Sequence, residues 1–152
     1  LCQSADSCTN ANVINIIYRY DISIYTTPII SIQQPVAGLT SAIITATITN
    51  MNGFIIIGAY SGIFNSSTMT TPSVINIKQG IFSTSVNLVQ VQMRHTSQNY
   101  QTNFQFTGLN ANSTYSFFYF CTVEDPSISA LSSTVGVTSV KTLNILVIDI
   151  NW

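Results

Sequence analysis

The chain has 152 residues, of which 46% are hydrophobic, enough for one domain whose core needs no metal or disulfide framework. Only 6% are Asp, Glu, Lys or Arg and the formal net charge is −1, whereas soluble domains average about 25% charged residues. That balance excludes a disordered chain and leaves no electrostatic footprint for nucleic acid or an anionic membrane surface.

The chain contains 22 Ile, 11 Val and 19 Thr. These β-branched side chains lose rotamer freedom in helices and pack well on pleated surfaces. Runs of period two, separated by turn residues, recur along its length, and no helical stripe lasts three turns. Residues 13–25 form the first run, with Ile14, Ile16, Tyr18, Tyr20, Ile22 and Ile24 on one face. Residues 29–34 follow Pro28, and a break spans residues 35–38. In the next strand Ala42, Ile44, Ala46 and Ile48 alternate with Ile43, Thr45, Thr47 and Thr49. Asn50-Met51-Asn52-Gly53 reads as a hairpin turn, since Asn and Gly accept positive φ. Residues 54–60 are apolar on both faces. Residues 61–80 read mainly as loop, with one short helical turn over 73–78. Strands are predicted over 86–94, 101–107, 114–123 and 134–142, with a turn at 108–113 and a break at Glu124-Asp125-Pro126. The last ten residues, 143–152, form another apolar run that places Leu146, Ile148, Ile150 and Trp152 in alternation. Strands at this spacing with no crossover helices predict an all-β, antiparallel Greek-key β-sandwich.

Polarity comes from 19 Ser, 19 Thr, 14 Asn and 9 Gln rather than from charge. Two acceptor tripeptides for N-linked glycans fall in expected loops, at Asn65-Ser66-Ser67 and Asn112-Ser113-Thr114. Glycans there would supply the missing surface solvation, so an extracellular or cell-surface protein is expected. Cys2 and Cys8 lie close in a polar segment and could close a small disulfide loop, as secretion would permit. Cys121 sits in an apolar run and is expected as a free buried thiol.

The stretch Gly108-Leu109-Asn110-Ala111-Asn112-Ser113-Thr114-Tyr115 resembles the corner before strand F of fibronectin type III domains. Leu109 and Tyr115 take the places of its Leu and Tyr, and Ala111 stands where a Pro is common. The resemblance implies a tyrosine corner, with the Tyr115 ring packed inward and its hydroxyl bonded to backbone in the preceding connection. Phe117, Tyr119 and Cys121 then alternate inward on strand F, and residues 133–142 resemble strand G. Residues 40–50 and 53–61 look like strands B and C. The usual Trp of strand B is absent, and residues 62–100 depart from the family pattern. The resemblance covers residues 29–142, which leaves 1–28 as an N-terminal extension and 143–152 as a C-terminal one. The fold hosts many functions and implies none.

Catalytic constellations find little support. His95 is the only histidine and lies in a polar stretch, where a solvated loop residue is expected rather than a catalytic base. Three cysteines and one histidine at unrelated spacings do not make a zinc site. Glu124 and Asp125 would point to opposite sides of a strand and read as a turn, with a weak calcium site as the alternative. No enzyme activity and no cofactor are expected. Membrane insertion is not expected either: no apolar run reaches the ~18 residues of a spanning helix. A transmembrane barrel needs one polar face per strand, which residues 54–60 and 117–121 lack.

Both terminal runs carry large apolar stripes that the core domain does not require, and the outward side of strand F (Phe118 and Phe120) is apolar too. Such surfaces need cover. The sequence therefore predicts a structural protein, a glycosylated subunit of a self-assembling filament or coat joined by terminal strand exchange. Copies of the chain would meet through Ile14, Ile16, Tyr18, Tyr20, Ile22, Ile24, Leu146, Ile148, Ile150 and Trp152. The alternative is a monomeric adhesion or ligand-binding module that uses its loops, above all residues 62–72 with Asn65 and the nearby threonines.

Overall fold

The computed structural model describes residues 26–124 and 131–145. The Cys2–Cys8 pair, Asp125 and all ten side chains expected at subunit contacts lie outside those residues.

The described chain forms ten strands and one short helix. In the first sheet β3 (Ser41–Ile48) is central, with β8 (Thr102–Thr107) on one side. The short strands β1 (Ile30–Ile32) and β2 (Val36–Ala37) share its other side, paired at Ala46 and Ala42 respectively. In the second sheet the order is β10 (Gly136–Lys141), β9 (Thr114–Thr122), β4 (Gly53–Ser61) and β7 (Gln90–Thr96). All these pairings are antiparallel. The chain crosses between sheets from β3 to β4, from β7 to β8 and from β8 to β9. This is the expected antiparallel β-sandwich.

The core between the sheets follows the period of two. Ala42, Ile44, Ala46 and Ile48 from β3 and Phe104 and Phe106 from β8 meet Ile55, Ile57, Ala59, Phe117 and Cys121. The alternate residues of β3 and β8 are polar for the most part and face outward. At the corner before β9, Leu109 is buried and the Asn110 N–H donates to the Tyr115 hydroxyl at 2.9 Å. That is the backbone bond expected of Tyr115.

In the second sheet the two central strands, β4 and β9, are buried on both faces. Residues 62–89 leave β4 and return to β7 across the sheet's outer side as a loop, helix α1 (Val74–Lys78) and the hairpin β5 (Ile81–Ser83)–β6 (Val86–Asn87). Ile77, Phe82 and Leu88 from this excursion cover Ile56, Phe118 and Phe120. Gly58 lets them approach closely: a Cβ there would lie 2.5 Å from Leu88 Cδ1 and 3.1 Å from Ile77 Cγ2. The two-sided apolarity of β4 and β9 thus marks the middle layer of a three-layer stack.

Four local expectations are corrected. Residues 50–53 do not close a hairpin, because β3 and β4 belong to different sheets. Their asparagines act as acceptors and donors instead: Asn50 Oδ1 takes the Ile29 N–H, its Nδ2 donates to Thr27 O, and Asn52 Oδ1 takes the Gln98 N–H. The break at 35–38 contains β2, so the edge strand is interrupted at Pro35 rather than ended. The single strand expected over 86–94 is divided into β6 and β7. His95 is part of β7, beside Phe54 on β4, and not a loop residue.

Candidate functional site

The excursion that covers the second sheet also builds a cleft. It leaves β4 at Gly62, whose φ of 132° suits glycine. The fully buried Ser116 on β9 holds this point by three bonds: its Oγ donates to Gly62 O at 2.9 Å, accepts from the Phe64 N–H at 2.9 Å and lies 3.0 Å from Ser139 Oγ. Phe64, Phe82 and Phe118 then form a ring cluster, with centroid separations of 5.1 Å for Phe64–Phe118 and 5.5 Å for Phe82–Phe118. Tyr60 stacks on Phe82 at 4.4 Å.

Above these rings the loop turns tightly on Asn65. Its carbonyl accepts from the N–H groups of Thr68 and Met69, and its Oδ1 accepts from Ser67 N at 2.9 Å. An Asx turn of this kind fixes the side-chain carbonyl through a local backbone bond. Ser73 caps α1 by accepting the Asn76 N–H at 3.2 Å, which is the ordinary use of serine at a helix start. Gly80, with φ 72°, then turns the chain into β5.

Between this loop, α1 and the hairpin lies an open cleft of about 400 Å³ lined by Met69, Thr70, Thr71, Pro72, Asn76, Phe82, Ser83 and Thr84. Met69, Pro72 and Phe82 supply apolar surface, and the other five offer hydroxyls and an amide. None of these lining residues is charged. Such a lining suits an uncharged ligand with one apolar side and several hydrogen-bonding groups. The alternative reading of the sequence, a binding module, would use residues 62–72, and Thr70 and Thr71 of that loop line the cleft. Asn76, Phe82, Ser83 and Thr84 were missed, because they join it only once the hairpin folds back. The one local sign is Phe82, a large ring between Gly80 and a run of serine and threonine.

The other singled-out residues lie elsewhere. Asn65 and Asn112 are both exposed, Asn65 on the loop beside the cleft and Asn112 on the turn before β9 with φ 51°. His95 Nε2 is 3.5 Å from Glu124 Oε1 in an exposed pair. Neither lines this cleft nor a second one of about 330 Å³ between Thr27, Pro28, Ile29, Ile30, Tyr119, Ser133, Thr134 and Gly136. Cys121 is a free buried thiol. Burial raises its pKa, against the lowering effect of hydrogen bonds with Ser133. Among the described residues no group of three or more His, Cys, Asp or Glu is placed to hold a metal ion, and no helix is long and apolar enough to cross a membrane.

No protein-family model matches the chain, and no curated protein matches it. Among solved structures it is similar to a short version of the sensor domain of the anti-sigma factor RsgI4 from Pseudobacteroides cellulosolvens, at 16% identity and a TM-score of 0.45 over 79% of this chain and 98% of that one. A long version of the same domain is 15% identical, with a TM-score of 0.46 over 82% and 98%. Its solution structure is 16% identical, with a TM-score of 0.43 over 77% and 76%.

The expectation of a structural filament or coat subunit joined by strand exchange is corrected here. The similar structures are sensor domains of an anti-sigma factor, not filament subunits. One of the surfaces behind that expectation is also accounted for within the chain, since Phe118 and Phe120 are fully buried under the excursion.

Proposed function

We propose that this chain is an extracellular, non-enzymatic β-sandwich module that binds an uncharged, hydroxyl-rich ligand, a carbohydrate, in the cleft of the 62–84 excursion. The observation that carries this reading is the cleft's lining, in which Met69, Pro72 and Phe82 stand with five uncharged residues that carry hydrogen-bonding side chains. A sugar presents the same division, with C–H groups on its ring faces and hydroxyls around the rim. In this reading the sandwich is of the fibronectin type III or immunoglobulin-like kind. Supporting that finer assignment, the strands that resemble C, F and G (β4, β9 and β10) share one sheet and the strand that resembles B (β3) lies in the other. The Tyr115 hydroxyl bond supports it as well. Residues 62–89 would be this chain's own addition to that frame, and N-linked glycans on Asn65 and Asn112 complete the proposed surface.

The test is calorimetry of the secreted chain, with the Asn65 glycan removed, against a panel of neutral oligosaccharides. At least one should bind saturably, and the Thr71→Ala/Asn76→Ala variant should weaken it about tenfold, the loss of one or two hydrogen bonds. Absence of binding across the panel, or binding that the double variant leaves unchanged, sinks the assignment. Native mass spectrometry should return single chains of 16.6 kDa plus glycan.

A further inference from the structure

We propose that the N-linked glycan of Asn65 folds over the cleft and occupies it, so that glycosylation at this one residue controls access. The inference rests on the binding reading above for what is being controlled, and on the geometry for the occupant.

Asn65 and the cleft belong to one turn of chain. The Asn65 carbonyl accepts the Met69 N–H at 2.8 Å, and Met69 is the first of the residues that line the cleft. The Asx bond from Ser67 N engages Oδ1 and so leaves the other side-chain atom, Nδ2, as the group that a glycan would take. Asn65 and the three residues after it are exposed. The first two sugars of an N-linked glycan are N-acetylated hexosamines. They are neutral, with hydroxyls at the rim and apolar C–H and methyl surface. The cleft offers the matching parts, apolar contact at Met69, Pro72 and Phe82 and uncharged donors and acceptors at Thr70, Thr71, Asn76, Ser83 and Thr84. Tethering also raises the local concentration of these sugars to the millimolar range, so weak complementarity is enough to fill the site. The second acceptor provides a control in the same molecule. Asn112 is also exposed, on a turn tied to Leu143 and Thr142, and it lines neither cleft.

Seating can be read from enzymatic release of the two glycans by a peptide N-glycosidase, followed at each site by mass spectrometry on the folded, secreted chain. A glycan seated nine-tenths of the time is available about one-tenth of the time, so Asn65 should be released about tenfold more slowly than Asn112. The two rates should converge after denaturation. Met69→Ser removes apolar contact at a half-buried loop position and should bring the native rates together as well. Equal native rates overturn the proposal, as does a slow Asn65 rate that survives Met69→Ser, or a secreted chain with no glycan on Asn65.

Access is read separately, with Ser67→Ala, which deletes the acceptor tripeptide while keeping the Ser67 backbone bond to Asn65. N,N′-diacetylchitobiose and the oligosaccharide panel are the probes. Binding to the Ser67→Ala chain that is weaker by about tenfold in the glycosylated chain supports control by the glycan. Equal binding by both chains overturns that control and leaves the binding reading standing. Slow, Met69-dependent release with no panel binding by either chain supports the seated glycan and removes the external ligand.

Discussion

Ser116 shows how much one hydroxyl can organise in a chain with so few charges. It has no exposed surface, and through Phe64, Gly62 and Ser139 it joins the outer layer to β9 and β10. Ser116→Ala leaves those partners without their bond in a part-buried setting and should cost about 1–3 kcal/mol in urea unfolding. The Phe64 amide should also lose protection from solvent. Cys121 gives a prediction in pH. Burial holds its thiol above the ordinary range, so the proton stays on in the folded state after the unfolded chain has lost it. Stability from this group is complete below the unfolded thiol value of about 8.5 and falls as pH rises beyond it. Unfolding midpoints measured from pH 7 to 10 should show that decline, and Cys121→Ala should lack it. A decline of the same size in the variant would assign the effect to other groups.

At the scale of elements, the open side of the sandwich is closed by side chains rather than by another strand. Gln90 and Gln92, on the inner face of edge strand β7, donate through Nε2 to the β8 carbonyls of Thr107 at 2.7 Å and Gln105 at 2.8 Å. Arg94, two residues on, lies 5.7 Å from the centre of the Phe104 ring. Edge carbonyls that would invite another strand are thereby occupied. The double variant Gln90→Ala/Gln92→Ala should lose about 1–3 kcal/mol, from two bonds of modest net worth, and should aggregate sooner than the parent in light scattering.

The same elements show what the sequence could convey. The alternation in β3, β8 and β9 is local, so strands, core faces and the inward set of Phe117, Tyr119 and Cys121 were legible. The Tyr115 corner was legible too, because seven consecutive residues define it. The outer layer was not. Residues 62–89 carry no period, and their cover of Phe118 depends on contacts far apart in sequence, such as Leu88 and Ile77 against Gly58. The cleft was half visible for that reason: its loop side is a contiguous stretch, whereas Phe82, Ser83 and Thr84 reach it only through the fold. The apolar outer side of β9 was read correctly as a surface that needs cover, but its cover was sought in neighbouring subunits.

For the whole molecule, scarcity of charge sets the response to solution conditions. Among the described residues His95 and Glu124 form a pair that resembles a salt bridge, and both are exposed. Exposed pairs contribute about 0–1 kcal/mol and are screened by salt. Unfolding free energies should therefore change by less than about 0.5 kcal/mol between low salt and half-molar sodium chloride, the scale of screening an exposed pair. Larger salt sensitivity would point to charges among residues 1–25, 125–130 or 146–152.

The position of β4 and β9 beneath residues 62–89 bears on the order in which the molecule comes apart. Their outer face is sealed by a loop, a helix of five residues and a two-strand hairpin, packed on the sheet through Ile77, Phe82 and Leu88. Segments of that kind open at low free energy, well before the strands beneath them. Each such opening would uncover Ile56, Phe118 and Phe120 while the sandwich stays intact, giving an excited state that is folded yet sticky. A ligand that needs the cleft intact would bind the closed form alone and lower the population of that state by mass action. Occupancy of the cleft would then act as a guard against self-association, and the shelf life of the molecule would follow its saturation.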